Sequence, residues 1–313
     1  MACSTPRAAL DHAEARHFVA VLHVIQSPAF QQRFFFLAKR FIAGETVGQA
    51  MDAVAALNAQ GMSATLDFLG EDVVARPEAE RTRDAYFELL AAIRARGLDT
   101  NVSVKLTAMG LLIDEDFALA NLRAVLDAAS HNRDPFVRID MEGSAVTDAT
   151  LRVFERAYAE TKHVGPVLQA YLKRTPADVE RTIALGARVR LCKGAYSEPA
   201  EIAYKDMPSI RSHYLRSAEA LLERGNYPGI ATHDERIIAA VETFTRERAI
   251  AQDRFEFQML YGVRPELQRR LVADGYRVRV YVPYGTHWAG YFYRRITERK
   301  ENAFFALRSM LRR

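Results

Sequence analysis

Cysteine is almost absent from this 313-residue chain. Cys3 and Cys192 are the only two; they make neither a disulfide framework nor a CxxC metal site, which suits a reducing cytoplasm. Long apolar runs are missing too, and none approaches the roughly 20 residues needed to span a bilayer. The opening "MACSTPRAALDHAEARHF" is charged where a signal peptide needs an apolar core, so no secretory leader is expected. Charge of one sign is not in excess: 43 basic residues face 39 acidic ones, a net +4. With no zinc-finger spacing, arginine-rich arm or RNP-like motif, nucleic acid is not an expected partner. No GxSxG elbow supports a hydrolytic triad. Low-complexity segments and obvious linkers are lacking.

What is present is an ordinary globular composition, 49% hydrophobic and 26% charged, with enough apolar residues for a sizeable core. Residues 8–43 read as helices and hold the cluster Phe34, Phe35, Phe36, Leu37, Phe41 and Ile42. "AGETVGQAMDAVAALNAQG" repeats its apolar positions near 3.6 and predicts another helix. Then short β-rich runs begin: "SATLDFLGE" (63–71), "NVSVKLTAMG" (101–110), "FVRIDMEGS" (136–144), "PVLQAYL" (166–172), "RVRLCKGAY" (188–196), "YPGIATHD" (227–234), "FEFQMLYG" (255–262) and "YRVRVYVPYG" (276–285). Helical patterns such as "RTRDAYFELLAAIRARG" and "RSHYLRSAEALLERG" lie between most of them, each closed by a glycine that signals a C-cap.

Strand then helix, eight times over roughly 240 residues, predicts a (β/α)8 TIM-type barrel of the α/β class. A doubly wound sheet is disfavoured because no GxGxxG follows the first strand. The expected division is an N-terminal helical segment, 1–45, and a catalytic barrel, 46–313.

Chemistry in such a barrel sits at the C-terminal ends of the strands. The candidates there are polar: Asp67 and Glu71; Lys105; Asp140 and Glu142; Gln169; Arg190 and Lys193; Thr232, His233 and Asp234; Gln258 and Tyr261; Tyr281 and Tyr284. Any one alone is more often a satisfied barrel residue or a rim ion pair, but so many together favour one polar site. In "RLCKGAY" two cations stand beside Gly194, which permits close backbone approach by a phosphate or an electron-rich ring. A strand-end ion pair, or Lys193 as a Schiff-base lysine, would use the same residues. "ATHD" and "GTHW" carry His233 and His287, with no second ligand at metal spacing, so no metal site is expected.

"WAGYFYRRITE" (288–298) poses a different question, since Arg294 and Arg295 are adjacent guanidiniums. On a helix Tyr291, Arg295 and Glu298 share one face, and Arg294 lies about 100° round from Arg295. Glu298 can support both. A solvated helix face is the bland reading; a bidentate clamp for a carboxylate or phosphate is the sharper one.

The stretches "YLKRT" (171–175), "RLCKGAY", "ATHD", "FEFQMLYG" and "RVYVPYGTHWAGYFYRRITE" (279–298) resemble, in order and spacing, the signatures of proline dehydrogenase. "AKRFIAGET" and "VKLTAMG" are similar to that family too, and the length resembles its monofunctional bacterial form. Cys192 stands where valine is usual, and Asp234 where asparagine is usual near the flavin's adenine side. The resemblance implies a barrel that holds FAD noncovalently and oxidises L-proline to Δ1-pyrroline-5-carboxylate, hydride passing from proline C5 to flavin N5. It implies that Arg294 and Arg295 clamp the proline carboxylate, with Lys105, Asp140, Leu260, Tyr281 and Tyr291 lining the pocket. Arg190 would lie against the isoalloxazine, and Asp140 and Arg190 are the candidate catalytic pair. Met141, Gln169, Arg190, Lys193, Gly194, Ala195, Tyr196, Thr232 and His233 would hold FAD, and the final barrel helix would cover the mouth.

The electron acceptor that the family implies is a membrane quinone. The C-terminal "RKENAFFALRSMLRR" interleaves Phe304, Phe305, Leu307, Met310 and Leu311 with basic residues. A helix packed on the barrel is the favoured reading, and a basic helix lying on an anionic membrane is the other. The expected location is cytoplasmic, with peripheral contact at the inner face of the membrane under the second reading. Two further functions stay in view: another flavin barrel such as a methylenetetrahydrofolate reductase, and a non-catalytic ligand-binding barrel.

Overall fold

A computed structural model describes residues 38–297, the side chains of 293–297 excepted. The helices expected over 8–37 and the C-terminal segment from Glu298 onward lie outside these residues. In chain order the elements are α1 (Val47–Asn58), β1 (Ser63–Phe68), α2 (Arg76–Arg96), β2 (Thr100–Val104), α3 (Glu115–Ala129), β3 (Val137–Ile139), α4 (Ser144–Glu160), β4 (Val164–Gln169), α5 (Thr175–Leu185), β5 (Arg190–Cys192), α6 (Met207–Arg224), β6 (Gly229–Ala231), α7 (Glu235–Glu247), β7 (Glu256–Leu260), α8 (Pro265–Ala273), β8 (Val278–Tyr284) and α9 (Trp288–Thr297). The eight strands pair in sequence order and the sheet closes on itself. All pairs are parallel, and closure is made by β1 on β8 from Ser63↔Arg279 to Phe68↔Tyr284. The (β/α)8 barrel expected from the sequence is therefore present.

The chain divides into two compact units. One, Ile42–Gly285, is the barrel. The other joins Met1–Phe41 to Thr286–Arg313. Within its described part Phe292 packs on Phe41 and Trp288, at ring-centroid distances of 6.4 and 5.8 Å.

Two layers follow from the strand period of two. Leu66, Val102, Val104, Ile139, Phe257, Val280 and Val282 belong to one apolar cluster with helix residues such as Val54, Leu89, Leu122 and Phe154. Their alternates are polar. Asp67, Ser103, Arg138, Arg190, Glu256, Gln258 and Arg279 are all buried. Several of these bond across the barrel to strands that are not their neighbours, so the polar set fills the interior. Helix ends follow local chemistry. Asp114, Asp206 and Asp234 cap α3, α6 and α7 through their side chains. Gly97 closes α2 in the left-handed region at φ 61°, as its motif predicts. Gly225 differs: it closes α6 in extended conformation, where a Cβ would stand 2.5 Å from the Leu221 carbonyl oxygen.

The loop after β2, which carries Lys105, is tied to the end of β3 by one side chain. Glu142 accepts from the Thr107 amide at 3.1 Å and from the Thr107 hydroxyl at 2.5 Å. Burial pushes the Glu142 carboxyl from its ordinary 4.5 up to about 7, against the downward pull of those two bonds. A carboxyl held high only in the folded chain adds stability below its unfolded pKa. That stability is lost as pH rises from about 4.5 through about 7, and on this shift alone it amounts to about 3 kcal/mol. Glu142→Gln should therefore flatten the fall in unfolding free energy between pH 4.5 and 8 that the unaltered chain shows in denaturant titrations. Parallel curves for the two proteins would show that Glu142 titrates normally.

Candidate active site

The C-terminal ends of the strands carry a buried, bonded group of polar side chains. Asp67, near the end of β1, accepts from the Lys105 ammonium with both carboxylate oxygens, at 2.8 and 2.9 Å. Burial pushes the Asp67 carboxyl up and Lys105 pulls it back. Burial also works against the charge on Lys105, but Asp67 and Asp140 outweigh it and hold the ammonium above its ordinary value. The two-point contact argues that the pair is ionised.

Asp140 follows β3 directly. Its Oδ1 accepts from the Ser103 hydroxyl at 2.6 Å and from Arg190 Nη1 at 2.7 Å, and its Oδ2 accepts from the Tyr281 hydroxyl at 2.7 Å. Burial and the carboxylates of Asp140 and Asp67 keep the Tyr281 phenol protonated far above its usual range. Arg190 opens β5 rather than ending it, contrary to the expectation from its motif. Its length carries the guanidinium across the interior, where Nε donates to Gln258 Oε1 and the Cζ lies 5.3 Å from the Tyr281 ring centre. No hydrogen bond from Arg190 Nη2 is made among the described residues.

A second group lies around the loop after β5. Lys193 and Arg211 both donate to Asp234 Oδ2 at 2.7 Å. Burial raises the Asp234 carboxyl, but the bonds from these two cations prevail and hold it down at about 2. Gly194 has φ 111°, and the close approach that it permits here is made by the Tyr171 ring, 2.1 Å from where a Cβ would sit. Ala195 is exposed and Tyr196 half-buried. Glu198 fastens the loop to the start of α4, accepting from the Ser144 amide at 2.7 Å. Gln169, the last residue of β4, donates to the Glu142 carbonyl at 2.9 Å, and Met141 is buried beside Asp140. Thr232 Oγ1 accepts from the Asp234 amide at 3.1 Å, and His233 Nε2 accepts from the Leu260 amide at 2.9 Å.

The barrel thus joins Asp140, Arg190 and Tyr281 directly, and pairs Lys105 with Asp67 beside them. Tyr291 is buried on α9. Arg294 and Arg295 follow it on the same helix; their side chains, and Glu298, lie outside the described residues. Three participants were not singled out from sequence. Ser103 stands two residues before Lys105 on one face of β2, a spacing that marks it. Glu256 is an acid that opens an otherwise largely apolar strand, two residues before Gln258, and that period-two spacing is also a signal. Arg211 has none, because its partner is 23 residues away on another element.

Known proteins resemble this chain over most of its length. The family model of proline dehydrogenase matches residues 50–308. Proline dehydrogenase 1 of Bacillus subtilis (strain 168) is 42% identical over 276 residues, covering 88% of this chain and 91% of that protein. Proline dehydrogenase of Deinococcus radiodurans is 41% identical over 302 residues, covering 94% and 97%. Among solved structures, proline utilization A (PutA) from Bdellovibrio bacteriovorus inactivated by N-propargylglycine matches with a TM-score of 0.77 at 29% identity. That match covers 83% of this chain and 32% of the other, so this chain spans about a third of that protein's length. Taken with the closed barrel and its polar mouth, these matches show that the chain belongs to the proline dehydrogenase family.

Proposed function

We propose that this chain oxidises L-proline to Δ1-pyrroline-5-carboxylate with noncovalently bound FAD as the immediate acceptor, and that a quinone takes the electrons onward. Proline oxidation follows from the family; cofactor, product and acceptor are our reading. The observation that carries it is the buried Arg190 guanidinium, whose Nη2 makes no hydrogen bond among the described residues. A guanidinium so deeply buried, fixed by three bonds to Gln258, Ser103 and Asp140, keeps one nitrogen for a ligand.

The residues present fit a flavin dinucleotide. Its ring carbonyls, ring nitrogens and diphosphate are acceptors, and the site offers donors in Arg190, Lys193 and Thr232. Gln169, Arg190, Lys193, Thr232 and His233 would hold it, with Met141, Ala195 and Tyr196 beside them. When bound, the flavin supplies a two-electron acceptor for the hydride on C5 of proline. The chain's own residues do the rest. Arg190 places positive charge where negative charge grows, without reorganising, because its bonds are already made. Tyr281 supplies ring surface to an apolar pyrrolidine. Lys105 and Tyr281 are both held in their protonated forms, so neither takes the amine proton. Arg294 and Arg295 would bind the carboxylate bidentately, with Glu298 supporting them, and Leu260 and Tyr291 would complete the pocket.

The electron acceptor leaves a question of location. Among the described residues no helix is long and apolar enough to cross a membrane. A membrane quinone would then be met peripherally, at the inner face of the cytoplasmic membrane.

The test is an absorbance spectrum of the purified protein before and after anaerobic L-proline. We expect flavin bands that bleach with proline. Bleaching by NAD(P)H alone would point to a folate reductase, and no flavin after reconstitution with FAD would overturn the assignment. Arg190→Ala should slow flavin reduction far more than it weakens proline binding; stopped-flow traces showing only a higher proline Kd would make Arg190 a substrate ligand. Arg295→Met should raise KM for proline about 30-fold or more while flavin stays bound, because losing a bidentate charged contact costs roughly 2–5 kcal/mol. A KM within two-fold of the parent's would remove Arg295 from the clamp.

A further inference from the structure

A continuous hydrogen-bonded chain runs through the barrel interior to Arg190. Its foot is Arg279 on β8, which lines an open hollow of about 480 Å³ together with Asp134, Arg188 and Tyr227. Arg279 Nη1 donates to the Ala64 carbonyl at 2.7 Å, and its Nε donates to Glu256 Oε1 at 2.8 Å. The same Glu256 oxygen accepts from Gln258 Nε2 at 2.6 Å. Gln258 Oε1 then accepts from Arg190 Nε, and Arg190 Nη1 reaches Asp140. Glu256, Gln258, Arg279 and Arg190 are 3, 4, 7 and 6% exposed, so no bulk water competes for these bonds.

The chemistry of the chain allows Gln258 one orientation. A carboxylate only accepts, a guanidinium only donates, and a side-chain amide has one end of each kind. Between Glu256 and Arg190 the amide must turn its NH2 to the carboxylate and its oxygen to the guanidinium. Glu256 and Gln258 lie two apart on β7, so both face inward, and the chain requires that spacing. The space is specified from the other side as well. A Cβ on Gly229 would stand 2.4 Å from Gln258 Nε2, so only glycine leaves room for the amide there. Glu256 itself is ionised: burial raises it, but Arg279 and the two bonds to its Oε1 hold it below its ordinary value.

We propose that Glu256 and Gln258 are positioning residues for Arg190: the buried carboxylate fixes which way the amide faces, and the amide oxygen fixes the rotation of the guanidinium that the reaction uses. The role assigned to Arg190 rests on the function proposed above. Neither β7 residue needs to touch substrate or flavin for this.

The test combines Gln258→Met, Glu256→Met, which removes the oxygen that takes both bonds, and the exchange variant Glu256→Gln/Gln258→Glu. The exchange restores the polarity of the chain, since Gln at 256 accepts from Arg279 and donates to a carboxylate that accepts from Arg190. One readout does not depend on turnover: hydrogen exchange of the Arg190 Nε–H, followed by 15N NMR of the purified full chain. It should be roughly ten-fold faster in Gln258→Met and return toward the parent's rate in the exchange variant. In the same proteins kcat with proline should fall roughly 10- to 100-fold in both single variants, with KM within about two-fold, and recover in the exchange variant. Unchanged exchange in Gln258→Met, or an exchange variant no better than either single one, would overturn the proposal. If Gln258→Met does not fold, Glu256→Met and the exchange variant decide by the same two readouts. Failure of the parent protein to bleach with proline would instead refute the function, and the exchange rates would still decide the positioning.

Discussion

Asp140 accepts hydrogen bonds from Ser103 on β2, Arg190 on β5 and Tyr281 on β8, while its own backbone amide donates to Val104 at 2.9 Å. Three strands of the barrel therefore converge on one carboxylate. Three donors share two oxygens at 2.6 to 2.7 Å, which is the range of charge-assisted bonds. Without it the buried Arg190 guanidinium would lose its carboxylate and the Tyr281 hydroxyl an acceptor, and leaving one member of a buried ion pair uncompensated costs roughly 3–5 kcal/mol. The site geometry is thus a consequence of this carboxylate more than of any loop.

A barrel interior filled with charge costs stability. Arg138, Arg190, Arg279 and Lys105 are buried there with Asp67, Asp140 and Glu256. Burial, Arg190 and Arg188 all act against the charge on Arg138, whose Nη1 donates to the Pro166 carbonyl at 3.0 Å. Apolar side chains of similar size would pack the interior at no desolvation penalty. The layer between strands and helices has the opposite character: it is one apolar cluster built from nearly every element of the barrel. Folding free energy comes chiefly from that outer layer. The inner layer gives it up for fixed dipoles and charges, the condition under which electrostatic stabilisation acts without reorganisation.

This division also explains what could be read from sequence. The eight strands were legible because their outer faces are β-branched and their ends are marked by Gly, Asp or Ser. The candidate residues were legible because a barrel collects polar groups at strand ends. Partnerships were not. Lys105 and Asp67 are 38 residues apart, Arg190 and Asp140 are 50, and Tyr281 and Asp140 are 141. Only strand register brings them together. The placement of Arg190 misled for a related reason: its motif ends at the mouth, but the side chain starts one layer lower and crosses the interior. Glu256 drew no notice because an acid at the start of a strand usually lies at a rim.

Asp234 shows how the choice of a helix cap can change a site without changing its frame. Asn and Asp cap a helix equally well, so α7 begins in the same place with either. Only Asp brings a charge, and both Lys193 and Arg211 spend their contact on its Oδ2. With the carboxyl held at about 2, the trio carries a net single positive charge where an asparagine would leave two. Lys193 keeps 26% of its side chain exposed, so a phosphate can still approach it. That phosphate would meet an ammonium already oriented and half-neutralised, which exchanges affinity for a lysine fixed in place.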